Sequence, residues 1–148
     1  ARGVVAPLLD EGPAALVIAN RSAARAEDLA RHFATTATVV GGDYQALAGE
    51  SFDLVINATS ASLAGELPPL PPGIFAAGSL AYDMMYGDGA RPFLALADRQ
   101  GAARLADGLG MLVEQAAEAF HFWRGVRPDS APVIAMLRGV VPDPAARR

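Results

Sequence analysis

This chain predicts a doubly wound α/β fold, Rossmann-like, with a mostly parallel sheet covered by helices on both faces. Two observations carry that expectation. Short apolar runs alternate with helical patterns along the whole sequence, with no internal repeat. The runs also end in polar exits, at Asn20-Arg21-Ser22, Asn57-Ala58-Thr59-Ser60 and Tyr82-Asp83-Met84. In such folds ligands sit beyond the carboxyl ends of the strands, so these exits are where a site is expected.

The elements follow in order. Val4, Val5, Leu8 and Leu9 fit a helix that stops at Gly12-Pro13, with Pro7 kinking it or marking its first turns. Ala15 to Ala19 reads as a short buried strand. Ser22 is a candidate cap for a helix whose Ala26, Leu29, Ala30 and Phe33 share one face. Ala37 to Val40 reads as a strand ended by Gly41-Gly42, and Tyr44 to Leu47 as one helical turn. Phe52 to Asn57 is a clear strand, followed by a proline-rich loop. Leu80 to Met84 is a further strand. Pro92, suited to a first turn, opens a helix that closes at Gly101. An extended piece near Ala103 to Ala106 leads to Asp107-Gly108-Leu109-Gly110 and a long helix to about Trp123. Ser130 and Pro132 open a last helix with Val133, Leu137, Val140 and Val141 on one side. Residues 1–141 read as one nucleotide-binding domain and residues 142–148 as a frayed tail.

Composition narrows the function. The 148 residues suffice for one domain with a real core. At 52% hydrophobic and 19% charged, the chain suits ordered globular structure. A net charge of −4 offers no basic face to nucleic acid or anionic lipid. No apolar run approaches a membrane span, and no secretory signal opens the chain, so the expected location is cytoplasmic. With no cysteine, disulfides and thiolate catalysis are excluded. All 12 basic residues are arginine, which removes Schiff-base and lysine acid chemistry from this stretch. His32 and His121 belong to no cluster with metal-ligand spacing and take no role. A nucleotide-binding fold of this kind needs a first strand and a glycine-rich turn before its first helix. The chain starts with that helix under way, at Ala1 rather than Met, so it reads as a fragment whose upstream residues lie elsewhere.

The first exit has the most specific chemistry. A helix N-terminus attracts anions through unpaired N–H groups, and two arginines four residues apart, Arg21 and Arg25, add a bidentate grip. At the end of this strand an acid would hold an adenosine 2′-hydroxyl, whereas arginine accommodates a 2′-phosphate. The exit thus reads as selective for NADP over NAD; a solvated helix start with a serine cap and two surface arginines is the bland alternative. On the long helix, Leu109, Leu112, Val113, Ala116, Phe120 and Trp123 form an apolar face. Met111, Gln115, Glu118 and Phe122 form a second stripe, so contacts on both sides are expected. Gln115 could offer an amide to a hydroxyl-rich ligand or be simply solvated. Met84 and Met111 are core fillers or ligand contacts. Asp83 reads better as a partner for loop N–H groups than as a catalytic acid.

Taken in order, four segments resemble the carboxyl-terminal cofactor domain of the shikimate dehydrogenase family. They are Asn20-Arg21-Ser22 with Arg25; Asn57-Ala58-Thr59-Ser60; Tyr82-Asp83-Met84-Met85-Tyr86; and Ala106-Asp107-Gly108-Leu109-Gly110-Met111-Leu112 with Gln115. Ala1-Arg2-Gly3 looks like the end of the family's glycine-rich segment. The resemblance implies that Asn20, Arg21, Ser22 and Arg25 hold the 2′-phosphate and ribose of NADP, with serine where the family more often has threonine. It places Thr59 and Ser60 on the cofactor's path, Met84, Gly108 and Met111 by the nicotinamide, and Tyr86 and Gln115 on the substrate. The implied reaction is reversible hydride transfer between NADPH and 3-dehydroshikimate, giving shikimate for aromatic amino acid biosynthesis through chorismate. The family's catalytic lysine and aspartate belong to an amino-terminal substrate domain, so no catalytic residue is assigned here and this stretch alone is expected to be inactive. A homodimer is compatible with the family. Two other readings stay open: a quinate/shikimate dehydrogenase relative of broader substrate choice, and a non-catalytic NADP-binding module.

Overall fold

A computed structural model describes residues 2–34, 38–59, 66–140 and 144. They belong to two compact units, Ala1–Ser51 with Pro68–Ile74, and Phe52–Leu67 with Phe75–Arg148.

The first unit begins with α1 (Arg2–Asp10), which buries Val5. Pro7 lies within it, past the first turn, where it withholds one N–H from the ladder. Gly12, at φ 66°, turns the chain out of the helix and donates its N–H to the Leu9 carbonyl at 3.0 Å. β1 (Leu16–Ala19) pairs in parallel with β2 (Val39–Gly42) and is half-buried along its length, less covered than a buried strand. Between them α2 (Ala23–Phe33) turns Ala26 and Ala30 inward, with Leu29 and Phe33 partly covered. Ala37, read as a strand start, lies outside the described residues. Gly41 and Gly42 continue β2 instead of ending it. The reason is steric: a side-chain carbon at Gly41 would collide with the Ala26 carbonyl, so glycine lets α2 lie directly on the strand. A 3-10 turn follows at Gln45–Leu47.

The second unit carries β3 (Phe52–Asn57), β4 (Phe75–Asp83) and β5 (Arg104–Asp107), all parallel in the order β3-β4-β5. β4 starts well before Leu80. Its first half, Phe75-Ala76-Ala77-Gly78-Ser79, lacks the apolar alternation that marks a strand, and the pairing shifts register between Phe52↔Phe75 and Leu54↔Leu80. Gly78, at φ 80°, allows that irregularity. α3 (Arg91–Arg99) has Pro92 in its first turn and turns Phe93, Leu94 and Ala97 fully inward. α4 (Leu109–Arg124) ends at Gly125, at φ 69°, whose N–H reaches the His121 carbonyl at 2.8 Å. Its buried stripe is Leu109, Val113 and Ala117, narrower than the predicted face; Leu112, Ala116, Phe120 and Trp123 are exposed. α5 (Ala131–Val140) buries none of its residues, and Val141 lies outside the described residues. Parallel strands, with α2 between β1 and β2 and α3 between β4 and β5, make this the mixed α/β, Rossmann-like architecture that the sequence predicts.

Candidate functional site

Three parallel strands of the second unit end on one row. Asn57 pairs with Asp83, and Asp83 with Asp107, at the last registered positions of β3, β4 and β5. All three are buried, at 3%, 0% and 4% exposure, although their side chains are polar. Burial of that kind requires full pairing. Each side-chain oxygen accepts the backbone N–H two residues on: Asn57 Oδ1 from Thr59 at 3.2 Å, Asp83 Oδ1 from Met85 at 2.8 Å, and Asp107 Oδ1 from Leu109 at 3.2 Å. The same turn is thus made three times, and each folds the chain back as it leaves the sheet.

Further bonds tie the row together. Asn57 Nδ2 donates to Asp83 Oδ2 at 2.9 Å, and the Thr59 hydroxyl donates to Asn57 Oδ1 at 2.8 Å. Backbone bonds run from Met84 N–H to the Asn57 carbonyl at 3.0 Å and from Gly108 N–H to the Met85 carbonyl at 2.8 Å. Asp107 Oδ2 accepts the Gly87 N–H at 3.2 Å and Arg138 Nη1 at 2.9 Å, while Arg138 Nη2 meets Oδ1. The two carboxyls therefore diverge in acidity. Burial pushes Asp83 above the ordinary carboxylate value, against its bonds from Met85 and Asn57. Burial also pushes Asp107 upward, but the Arg138 guanidinium and the Leu109 and Gly87 amides outweigh it and hold Asp107 below that value. The Tyr82 phenol is raised by burial and by both carboxylates.

The first unit supplies a different exit. Asn20 N–H donates to the Gly42 carbonyl at 3.1 Å, which extends the β1–β2 pairing by one step. Arg21, Ser22 and Arg25 are exposed and Asn20 is half-buried. Ser22 occupies the N-cap position of α2, but its hydroxyl makes no capping bond; its carbonyl accepts the N–H groups of Arg25 at 3.2 Å and Ala26 at 3.4 Å. The helix therefore starts without the side-chain cap that the sequence predicts, and the hydroxyl is left to other partners. Arg21 is close enough to the half-buried Tyr44 to pull its phenol pKa down, against a larger upward push from burial. Arg25 lines a groove of about 300 Å³ with Arg2, Asp28, Leu29 and His32.

The remaining predicted residues distribute as follows. Thr59, Met84 and Met111 are partly covered, and Gly108 is buried. Gly108 lies hard against the Met84 backbone, where any side chain would collide with the Met84 carbonyl. Tyr86 and Gln115 are exposed, and Ser60 lies outside the described residues. Sequence reasoning reached Asp83's role as a loop anchor but missed Asp107 and Arg138. The aspartate was legible as a third polar strand end; the arginine, 31 residues downstream, had no local signal. Among the described residues, no cluster of acidic and histidine side chains could hold a metal, and no helix is long and apolar enough to cross a membrane.

Residues 108–138 match the family described as the Shikimate 5'-dehydrogenase C-terminal domain. The chain is 64% identical over 144 residues to the shikimate dehydrogenase (NADP(+)) of Nitrosospira multiformis, covering 97% of this chain and 52% of that protein. It is 69% identical over 137 residues to the shikimate dehydrogenase (NADP(+)) of Dechloromonas aromatica, covering 93% and 50%. The chain thus spans about half the length of these curated relatives. Among solved structures, an Ael1 enzyme from Pseudomonas putida superimposes with a TM-score of 0.83 at 54% identity, over 91% of this chain and 49% of that one.

Proposed function

We propose, from this chain's membership of the shikimate dehydrogenase family, that it is the cofactor-binding part of an NADP-dependent oxidoreductase that interconverts 3-dehydroshikimate and shikimate. Residues 1–141 act as the cofactor domain, and residues 142–148 form its tail. NADP supplies the hydride chemistry when bound. Arg21 and Arg25 hold the 2′-phosphate in charge-assisted bonds, while Asn20 and Ser22 hold the adenosine ribose. The chemistry of this group fits: an exposed helix start, a hydroxyl without a capping bond and two exposed guanidiniums suit a dianion better than a neutral sugar.

The second unit takes the nicotinamide end. Thr59 and Ser60 line the cofactor's path. Met84, Gly108 and Met111 flank the nicotinamide. The buried glycine keeps that wall flat, because its backbone packs directly on that of Met84. The Tyr86 phenol and the Gln115 amide bond the substrate hydroxyls, and their exposure leaves them available to a ligand. Proton delivery to the carbonyl falls to residues beyond this chain, which contains no lysine. The intact protein is proposed to be cytoplasmic and to form a homodimer.

The observation that carries the cofactor assignment is the Arg21–Ser22–Arg25 group at the start of α2. Calorimetric titration with 2′-phospho-ADP-ribose and with ADP-ribose tests it. Tighter binding of the phosphorylated ligand is expected, and equal affinities would overturn the assignment. Turnover assays of the 148-residue chain with shikimate and NADP are expected to show none; robust oxidation would refute the division of labour.

A further inference from the structure

Arg138 is where one element of the second unit, α5, reaches the strand-end row. Its guanidinium grips both oxygens of the buried Asp107 carboxylate. That carboxylate also accepts the N–H of Gly87 and the N–H of Leu109. Gly87 follows Tyr86 and Leu109 follows Gly108 in the chain. One carboxylate therefore fixes two loops, one after β4 and one after β5, and one arginine from a third segment fixes the carboxylate. A bidentate arginine pair sets direction as well as charge, so it determines which way each oxygen points.

We propose that Arg138 is a positioning residue: by clamping Asp107 it sets the separation between the Tyr86–Gly87 turn and the Gly108–Leu109 turn. This rests on the proposed roles of Tyr86 at the substrate and Gly108 at the nicotinamide. No ligand contact is assigned to Arg138. It acts through Asp107 on the distance over which a hydride would have to pass. Among the described residues, the ionisable groups that interact with Asp107 are Asp83 and Tyr82 from β4 and Arg138 from α5. Arg138 is the only cation among these three, so nothing else in the group replaces its charge.

A merely structural role, docking α5, would also cost stability on mutation, so the test reads the loops directly. The ¹⁵N–¹H resonances of Gly87 and Leu109 are followed in the wild type, Arg138→Lys and Arg138→Met at a temperature where all are folded. Both resonances are expected to shift together in Arg138→Met and to return partway in Arg138→Lys. Their acid titration is expected to move to higher pH in Arg138→Met, because the carboxylate has lost its cation. If Arg138→Met does not fold, Arg138→Lys, which keeps the charge and loses the two-pronged grip, is read in its place. Gly87 and Leu109 resonances at wild-type positions in whichever variant folds would overturn the proposal.

A second arm compares affinity for NADP with affinity for 2′-phospho-ADP-ribose, which lacks the nicotinamide. Loss of Arg138 is expected to lower the ratio by about threefold or more, with the 2′-phospho-ADP-ribose affinity unchanged. An unchanged ratio in a variant whose resonances have moved would overturn the link to the nicotinamide. If the wild type shows no preference for NADP over 2′-phospho-ADP-ribose, the proposed nicotinamide contacts of Met84, Gly108 and Met111 have failed, a result separate from the loop measurement.

Discussion

Gly108 shows how one residue can be fixed by its neighbours rather than by its own chemistry. Its position against the Met84 carbonyl leaves no volume for a methyl group, and the obstacle is backbone. Gly108→Ala is therefore expected to destabilise the fold by about 1–3 kcal/mol, the usual cost of overpacking, measurable by urea unfolding. Arg21 is the opposite case. It is exposed, and its removal is expected to leave stability nearly unchanged. If it holds a phosphate, Arg21→Ala weakens NADP binding by roughly 1–3 kcal/mol while NAD binding stays the same. Loss of affinity for both coenzymes alike would contradict that role.

At the scale of elements, the sequence was most legible where punctuation is local. Phe52–Asn57 was read to the residue, and glycine marked the ends of α1 and α3. Gly125 closes α4 in a left-handed conformation, so Gly125→Ala is expected to cost about 1 kcal/mol, measured as a lower melting temperature. Legibility failed where the cause was tertiary. Gly41 and Gly42 look like a strand terminator, yet both are strand, and Gly41 is the residue on which α2 lies. The first half of β4 was hidden by Ala-Ala-Gly and a register shift. The faces of α4 were overdrawn, because apolar periodicity reports what a helix could bury and not what comes to cover it. In the site, the polar exits were visible as motifs. Their mutual bonding was not, since Asn57, Asp83 and Asp107 are far apart in sequence and meet only through strand register.

Across the whole molecule, the strand-end carboxyls give acid stability two opposing signs. Asp107 has a lowered folded pKa, so its contribution is complete above the ordinary carboxylate value and is lost as pH falls through the lower folded value. Asp83 has a raised folded pKa, so its charged form opposes folding at neutral pH and that opposition fades on acidification. Comparing wild type with Asp107→Asn in thermal melts across pH isolates the first effect. The wild type is expected to be the more stable at neutral pH, with the gap closing only below the ordinary carboxylate range. A gap that closes well above that range would contradict the Arg138 pairing. The exposed side chains also have a molecular consequence. Phe122 and Trp123 are 86% and 74% exposed, and Trp123 is the chain's single tryptophan, so its fluorescence reports that surface alone.

Among the described residues the strands form two sheets, β1 with β2 and β3 with β4 and β5. Among the described residues β1, β2, β3 and β5 are each paired with a strand on one flank only, which leaves edges with backbone donors and acceptors. Such open seams invite any extended peptide to dock alongside, including another copy unfolding nearby. In handling, the polypeptide should therefore clump through its backbone at high concentration, and a soluble partner able to zip onto those flanks should keep it dispersed.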